Sequence, residues 1–329
     1  MDPPLEKIKK LEYPYYSIEY KFNKKKYLEE FKKFKPTIYR EIPKEIYSKN
    51  LSKYDKAYFL IKTNYSDEQL INNLTDYFSE KVRVKCQFLG YTTPLEYWKN
   101  NKDDIIKTCQ NKFNHLTIHN LREIIFANTK LCNNFRITVG TSVIDYFKPK
   151  SWLDISAGWG DRLITAILNN VELYVAADPN LELHKCYTNI INKLVSKTKR
   201  KNYQIHPTGF IEALIVQKDF DIVFSSPPFF DLEKYSTYTQ DSYTQFNTQR
   251  SWTDNFLIKS IIKSYNLLKP NGYMILYIGH NDEYAKHKIN KLNNLMRYHG
   301  VMYFYEKKPR GMYVWEKIKN NHITDSYFS

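Results

Sequence analysis

Glycine is scarce in this chain of 329 residues, with nine in all, so two in one short turn are informative. Cysteine is scarcer still. Cys86, Cys109, Cys132 and Cys186 form no CxxC pair, which removes a zinc ribbon and a thioredoxin-like motif and leaves no metal site to expect. Scattered cysteines of this kind are expected as buried thiols in a reducing, intracellular compartment. No apolar run approaches the roughly 18 residues of a membrane span. The opening MDPPLEKIKK carries no apolar signal core, so the expected location is cytoplasmic, with no membrane partner. Acidic charge is also short. Thirty-five Asp and Glu face 50 Lys and Arg, and the net charge of +15 asks for an anionic partner.

What is present is an ordinary globular balance, 42% hydrophobic and 26% charged, with length for one large or two modest domains. The charge is uneven. Residues 1–150 carry +10, residues 201–250 carry −2, and the tail from 251 carries +6. Basic flanks around a near-neutral middle suit nucleic acid. A Lys-, Asn- and Tyr-rich composition also fits an AT-rich coding sequence, and that alternative stays open here. Residues 1–130 read as a basic, mainly helical region. Ser66 is a candidate N-cap, and Thr93-Pro94 opens a further helix.

From Ser151 the pattern changes to short apolar strands at 152–155, 173–177, 203–206, 220–224 and 273–278. Helical stretches separate them, at 162–168, 181–194, 211–216, 254–268 and 282–298. Alternation of this kind predicts an α/β fold, a Rossmann-like doubly wound parallel sheet over 131–329. Two strand-like runs around Lys307-Lys308-Pro309-Arg310-Gly311 predict a closing antiparallel hairpin. In such sheets ligands bind at the carboxyl ends of the strands, where each motif below falls.

The first motif is Asp154-Ile155-Ser156-Ala157-Gly158-Trp159-Gly160-Asp161-Arg162-Leu163, a strand end, a small-residue turn and a helix start. Leu163 stands where a dinucleotide fingerprint needs its third glycine, which argues against a pyrophosphate cradle. The second is Asp178, after the next strand, placed to accept ribose hydroxyls, with Asn180 capping the following helix. The third is Ser225-Ser226-Pro227-Pro228-Phe229-Phe230. Two prolines fix the backbone and remove two donors, leaving carbonyls and a hydroxyl as acceptors at the sheet edge. An amine nucleophile needs acceptors for its hydrogens while its lone pair faces the methyl group, and Phe229 offers a face on which a planar substrate can stack.

The first motif resembles motif I of class I S-adenosylmethionine-dependent methyltransferases. The Pro-Pro turn resembles the (Asp/Asn/Ser)-Pro-Pro-(Tyr/Phe/Trp) motif of amino-methyltransferases acting on planar nitrogens. The stretch of roughly 130–316, including Phe230-Asp231-Leu232-Glu233-Lys234-Tyr235-Ser236 and Leu268-Lys269-Pro270-Asn271-Gly272, looks like phage and large-virus DNA-methylase-like proteins. The resemblance implies S-adenosylmethionine as cofactor. Asp154 would sit near its ammonium, Ser156, Gly158, Gly160 and Ser225 would line it, Asp178 would hold its ribose, and Glu212 would reach its adenine. Ser226, Pro227 and Phe229 would be catalytic, with Phe230, Lys307, Lys308 and Arg310 toward nucleic acid. The expected activity is methyl transfer to an exocyclic base amine, DNA favoured over RNA. An amino-methyltransferase of protein or small molecules, or a catalytically silent binding subunit, are the alternatives.

Overall fold

The structure, a computed structural model, describes residues 3–40, 57–235, 241–278, 283–305 and 310–328. Its centre is a nine-stranded sheet built from β1 (Thr37–Tyr39), β2 (Ala57–Lys62), β4 (Ser151–Asp154), β5 (Leu173–Ala177), β6 (Tyr203–His206), β7 (Phe220–Ser225), β9 (Leu268–Leu276), β10 (Met296–Tyr305) and β11 (Arg310–Lys317). A separate two-stranded pair joins β3 (Gln87–Phe88) to β8 (Glu233–Lys234).

The spatial order is β1-β2-β10-β11-β9-β7-β4-β5-β6. Strands β6, β5, β4, β7 and β9 are mutually parallel, and the β10–β11 hairpin closes onto β9 antiparallel. The chain runs from β4 outward through β5 to β6, then returns to place β7 on the other side of β4. The switch point therefore lies between β4 and β7, and this is where a doubly wound sheet opens a crevice. The expected fold class is present.

Period-two alternation divides the central strands between two cores. Trp152, Tyr174, Phe224 and Ile275 face one side. Leu153, Val175, Val223 and Met274 face the other. Both faces are covered, which is why these strands read as continuous apolar runs.

The N-terminal region is more tightly joined to the sheet than its sequence indicates. No strand was expected before Ser151, yet β2 lies parallel to β10, with Phe59 opposite Met302 and Ile61 opposite Phe304. Phe59 and Ile61 share a core with Met302, Val314 and Trp152. A smaller core around Trp98, Ile105, Cys109 and Leu121 belongs to the N-terminal helices alone. The helix at Thr93-Pro94 forms as expected, its capping box closed by Thr93 and Glu96. The earlier helix takes Asn64 as its N-cap in place of Ser66.

Two expected helices change. Residues 211–216 are irregular, because the Lys263 ammonium takes the carbonyls of Phe210, Ile211 and Ala213 at 2.7, 2.9 and 2.6 Å. The expected helix 282–298 stops at Asn290 and a single tight turn, Lys291–Asn294, leads into β10. Pairing of Met296 with Lys317 and burial of Met296 outweigh helical continuation there.

Candidate active site

A cleft of about 1060 Å³ lies over the carboxyl ends of β4, β5 and β7, between the sheet and the N-terminal helices. That is at the upper end of small-molecule sites, roughly 300–1,000 Å³. Ser156, Gly158, Asp178, Ser226 and Phe229 line it from the sheet side. Phe88, Arg83 and Arg122 line it from the N-terminal side.

The turn after β4 is held by a bond from the Ala157 amide to the Ala177 carbonyl at 3.0 Å. Gly158 has φ +58°, and a side chain added there would meet nothing nearer than Arg162 Nη2 at 3.8 Å. The open space above Gly158 faces the cleft, as expected of a backbone that a ligand approaches. Gly160 plays another part. It is buried, its φ is +96°, and an added Cβ would stand 2.8 Å from Ile190 Cδ1. Its missing side chain makes room for the helix Leu181–Leu194, so the expectation that Gly160 lines a ligand is corrected.

Asp154 is corrected as well. It is fully buried, and its carboxylate accepts from Arg162 Nε at 2.8 Å, Tyr174 Oη at 2.7 Å and Ser225 Oγ at 2.7 Å. These partners hold it beneath the turn, outside the cleft wall. Ser225 is buried with it, ties β7 to β4 and lies off the cleft wall, which corrects its expected contact with a cofactor. Arg162, which sequence reasoning did not single out, reaches past Asp154 to the Ser156 carbonyl and lines the cleft. Its position in the first helical turn after the glycines was the available signal.

Asp178 follows β5 and lies on the cleft wall. It accepts from the Gly158 amide at 2.9 Å and the Asn180 amide at 3.0 Å, and Asn180 caps the next helix. A carboxylate has about four lone-pair positions, so acceptor capacity remains for hydroxyls. Burial pushes its pKa up to about 7, against the lowering effect of those two backbone N–H groups. Glu212 is exposed on the irregular segment and lies off the cleft wall, which corrects its expected contact with a ligand. Gly209 and Phe210 line the cleft at that end.

At the end of β7, the Ser156 hydroxyl donates to the Ser226 carbonyl at 2.9 Å, joining the two motif turns directly. Ser226, Pro228 and Phe229 are half-buried on the cleft wall, while Pro227 is buried and off it, which corrects its expected catalytic contact. The Phe229 ring meets Tyr277 edge-on, with centroids 5.5 Å apart. Tyr277 was not foreseen; it follows β9 as the next strand end. Arg310 lines the cleft and hydrogen-bonds Tyr277, while burial, the larger effect, raises the Tyr277 pKa. Lys307 and Lys308 lie outside the described residues. Phe230 is 9% exposed and packs near Tyr243 and Trp252, so its larger part is structural.

The N-terminal wall carries a buried ionic network that sequence reasoning also missed. Asp76 pairs with Arg83 and with Arg122 (3.2 Å), Arg122 pairs with Glu80, and Asn134 donates to Asp76 at 2.9 Å. Asp161 lies nearby, taking a 2.5 Å bond from the Thr75 hydroxyl, and burial raises its pKa to about 7. Asp76, Glu80, Arg83 and Arg122 lie far in sequence from the motifs they face, which hid them. Among the described residues no cluster of three or more His, Cys, Asp or Glu could hold a metal ion, and no helix is long and apolar enough to cross a membrane.

No protein-family model matches the chain, and no curated protein matches it. Solved structures with a similar arrangement include TrmN from Thermus thermophilus, 13% identical, with a TM-score of 0.40 over 56% of this chain and 49% of that one. A SAM-dependent O-methyltransferase from Thermotoga maritima is 14% identical, with a TM-score of 0.39 over 60% of this chain and 71% of that one. A methyltransferase from Geobacter sulfurreducens is 10% identical, with a TM-score of 0.37 over 66% and 90%. At these values they establish neither activity nor substrate for this chain.

Proposed function

We propose that this chain transfers a methyl group from S-adenosylmethionine to an exocyclic base amine of nucleic acid, with DNA favoured over RNA. The observation that carries this reading is the bond from Ser156 to the Ser226 carbonyl, which sets the cofactor-type turn and the Ser-Pro-Pro-Phe turn side by side at the switch point. Both turns open on one cleft with Asp178. When bound, the cofactor supplies an electrophilic methyl group.

The residues present fit that cofactor. Gly158 leaves room for close approach, and Asp178 presents a carboxylate pre-positioned by two backbone amides. Phe210, beyond the end of β6, gives an apolar wall suited to a purine.

On the substrate side, Ser226 accepts a hydrogen of the target amine, and Phe229 stacks on the base. Such a nucleophile needs no strong base, because its proton leaves after transfer. The net charge of +15 gives the phosphate backbone an attractive partner. A base within a duplex must be rotated out of the stack to reach Phe229.

The test is calorimetry with S-adenosylhomocysteine, followed by mass spectrometry of nucleosides from DNA and RNA incubated with the protein and S-adenosylmethionine. Binding together with a methylated exocyclic amine is the expected result. No heat overturns the cofactor. Binding without any methylated nucleoside overturns the substrate and favours a protein or small-molecule acceptor.

A further inference from the structure

The turn Phe88–Tyr91 has a residue choice that neither its geometry nor packing explains. Its two central residues, Leu89 and Gly90, have φ of +47° and +76°, and the Tyr91 amide closes it onto the Phe88 carbonyl at 2.9 Å. Two central residues with positive φ favour Asn-Gly or Asp-Gly, and a leucine in the left-handed region is disfavoured by its Cβ. Burial does not compensate, since Leu89 is 53% exposed and Tyr91 45% exposed. An apolar side chain is held outward in an unfavourable backbone conformation.

This tip is fixed to the candidate active site through two hydrogen bonds. The Leu89 amide donates to the Leu232 carbonyl, and the Leu232 amide donates to the Phe229 carbonyl, each at 2.9 Å. Pairing of β3 with β8, Gln87 with Lys234 and Phe88 with Glu233, stiffens the connection. Phe88 and Leu232, its neighbours on either side, line the cleft. The exposed lysines Lys130 and Lys234 flank it, and the Lys130 ammonium lies 4.4 Å from the centroid of the Tyr91 ring.

From this placement we infer that Leu89 and Tyr91 form a wedge that enters the base stack of duplex DNA and fills the gap left by the rotated base, while Lys130 and Lys234 meet the flanking phosphates. The inference rests on the base-amine reading above. An apolar wedge beside basic side chains is suited to opening a stacked duplex. A separated strand has no base pair to break and no paired stack to hold open, so the wedge acts on the double-stranded form.

The experiment compares methyl transfer from labelled S-adenosylmethionine to mixed-sequence duplex DNA and to its separated strands. The proteins are the full-length wild type, Leu89→Ala, Leu89→Asn and Tyr91→Ala. Leu89→Asn suits the positive φ and keeps the turn, so it separates loss of the wedge from loss of the fold. Each variant, with unchanged thermal midpoint, should lose at least tenfold in turnover on duplex and less than twofold on single strands. Equal loss on both forms, or no loss on duplex, overturns the wedge and leaves the base-amine reading standing. A wild type that methylates neither form overturns DNA as the substrate, and the wedge with it.

Discussion

Asp154 and Arg162 form a buried ion pair at 2.8 Å beneath the glycine turn, with side chains 0% and 5% exposed. The acid of the first motif is therefore a keystone between β4, β5 and β7, and the arginine is the member of the pair that reaches the cleft.

Removing one partner should cost far more than removing a neutral neighbour. Arg162→Met leaves the Asp154 charge buried and unpaired, with an expected loss of about 3–5 kcal/mol. Tyr174→Phe removes one of several bonds to Asp154, with an expected loss of about 1–3 kcal/mol. Urea unfolding of the two variants beside wild type measures both, and equal losses would contradict the keystone role.

Under the proposed function, Asp178 would link cofactor binding to pH. Its pKa is raised to about 7 by burial, and the ionised form is the better acceptor of ribose hydroxyls. S-adenosylhomocysteine affinity should accordingly strengthen as pH rises from 6 to 8. Asp178→Asn should bind at least tenfold more weakly at pH 8 and show a flat profile. Calorimetry across that range is the measurement.

Asp161 gives a stability effect of determinate sign. Its folded pKa, about 7, lies above the ordinary 3.8, so the folded state holds the proton more tightly than the unfolded state. The associated stability is complete below about pH 4 and is lost as pH rises through 7. Asp161→Asn keeps an oxygen for the Thr75 hydroxyl and removes the penalty. Its melting temperature should exceed that of wild type at pH 8, and the difference should narrow at pH 5.

Phe229→Ala should reduce turnover more than cofactor affinity. Under the proposed function it would remove a stacking face worth about 1–3 kcal/mol per base and loosen the nucleophile. Ser226→Ala should cost less turnover, because its backbone carbonyl remains. Methyl transfer and S-adenosylhomocysteine binding on the same preparations separate the two effects. Full turnover by Phe229→Ala would rule out stacking.

Lys263→Met should act through a loop. Loss of the ammonium frees the carbonyls of Phe210, Ile211 and Ala213, and Phe210 lines the cleft. Cofactor affinity should fall about tenfold, corresponding to the roughly 1–3 kcal/mol of an unsatisfied buried polar group. Turnover at saturating cofactor should change little, and the KM-against-kcat split reads the difference.

The parallel sheet, the glycine turn, the position of Asp178 and the Pro-Pro turn were all legible in the sequence. Each depends on near neighbours in the chain: apolar runs for strands, a small-residue break after a strand, and prolines that fix φ whatever surrounds them. What each residue faces was decided by distant partners. Asp154 turned inward because Ser225 and Tyr174 approach it from neighbouring strands, and Gly160 is small because Ile190 packs on it. Residues 211–216 are irregular because Lys263, some fifty positions away, takes their carbonyls. Strand β2 belongs to the sheet because β10 offers an open edge and a shared apolar core. Local sequence carries backbone preference and burial tendency, whereas side-chain direction and ionic partnership exist only once the strands are assembled.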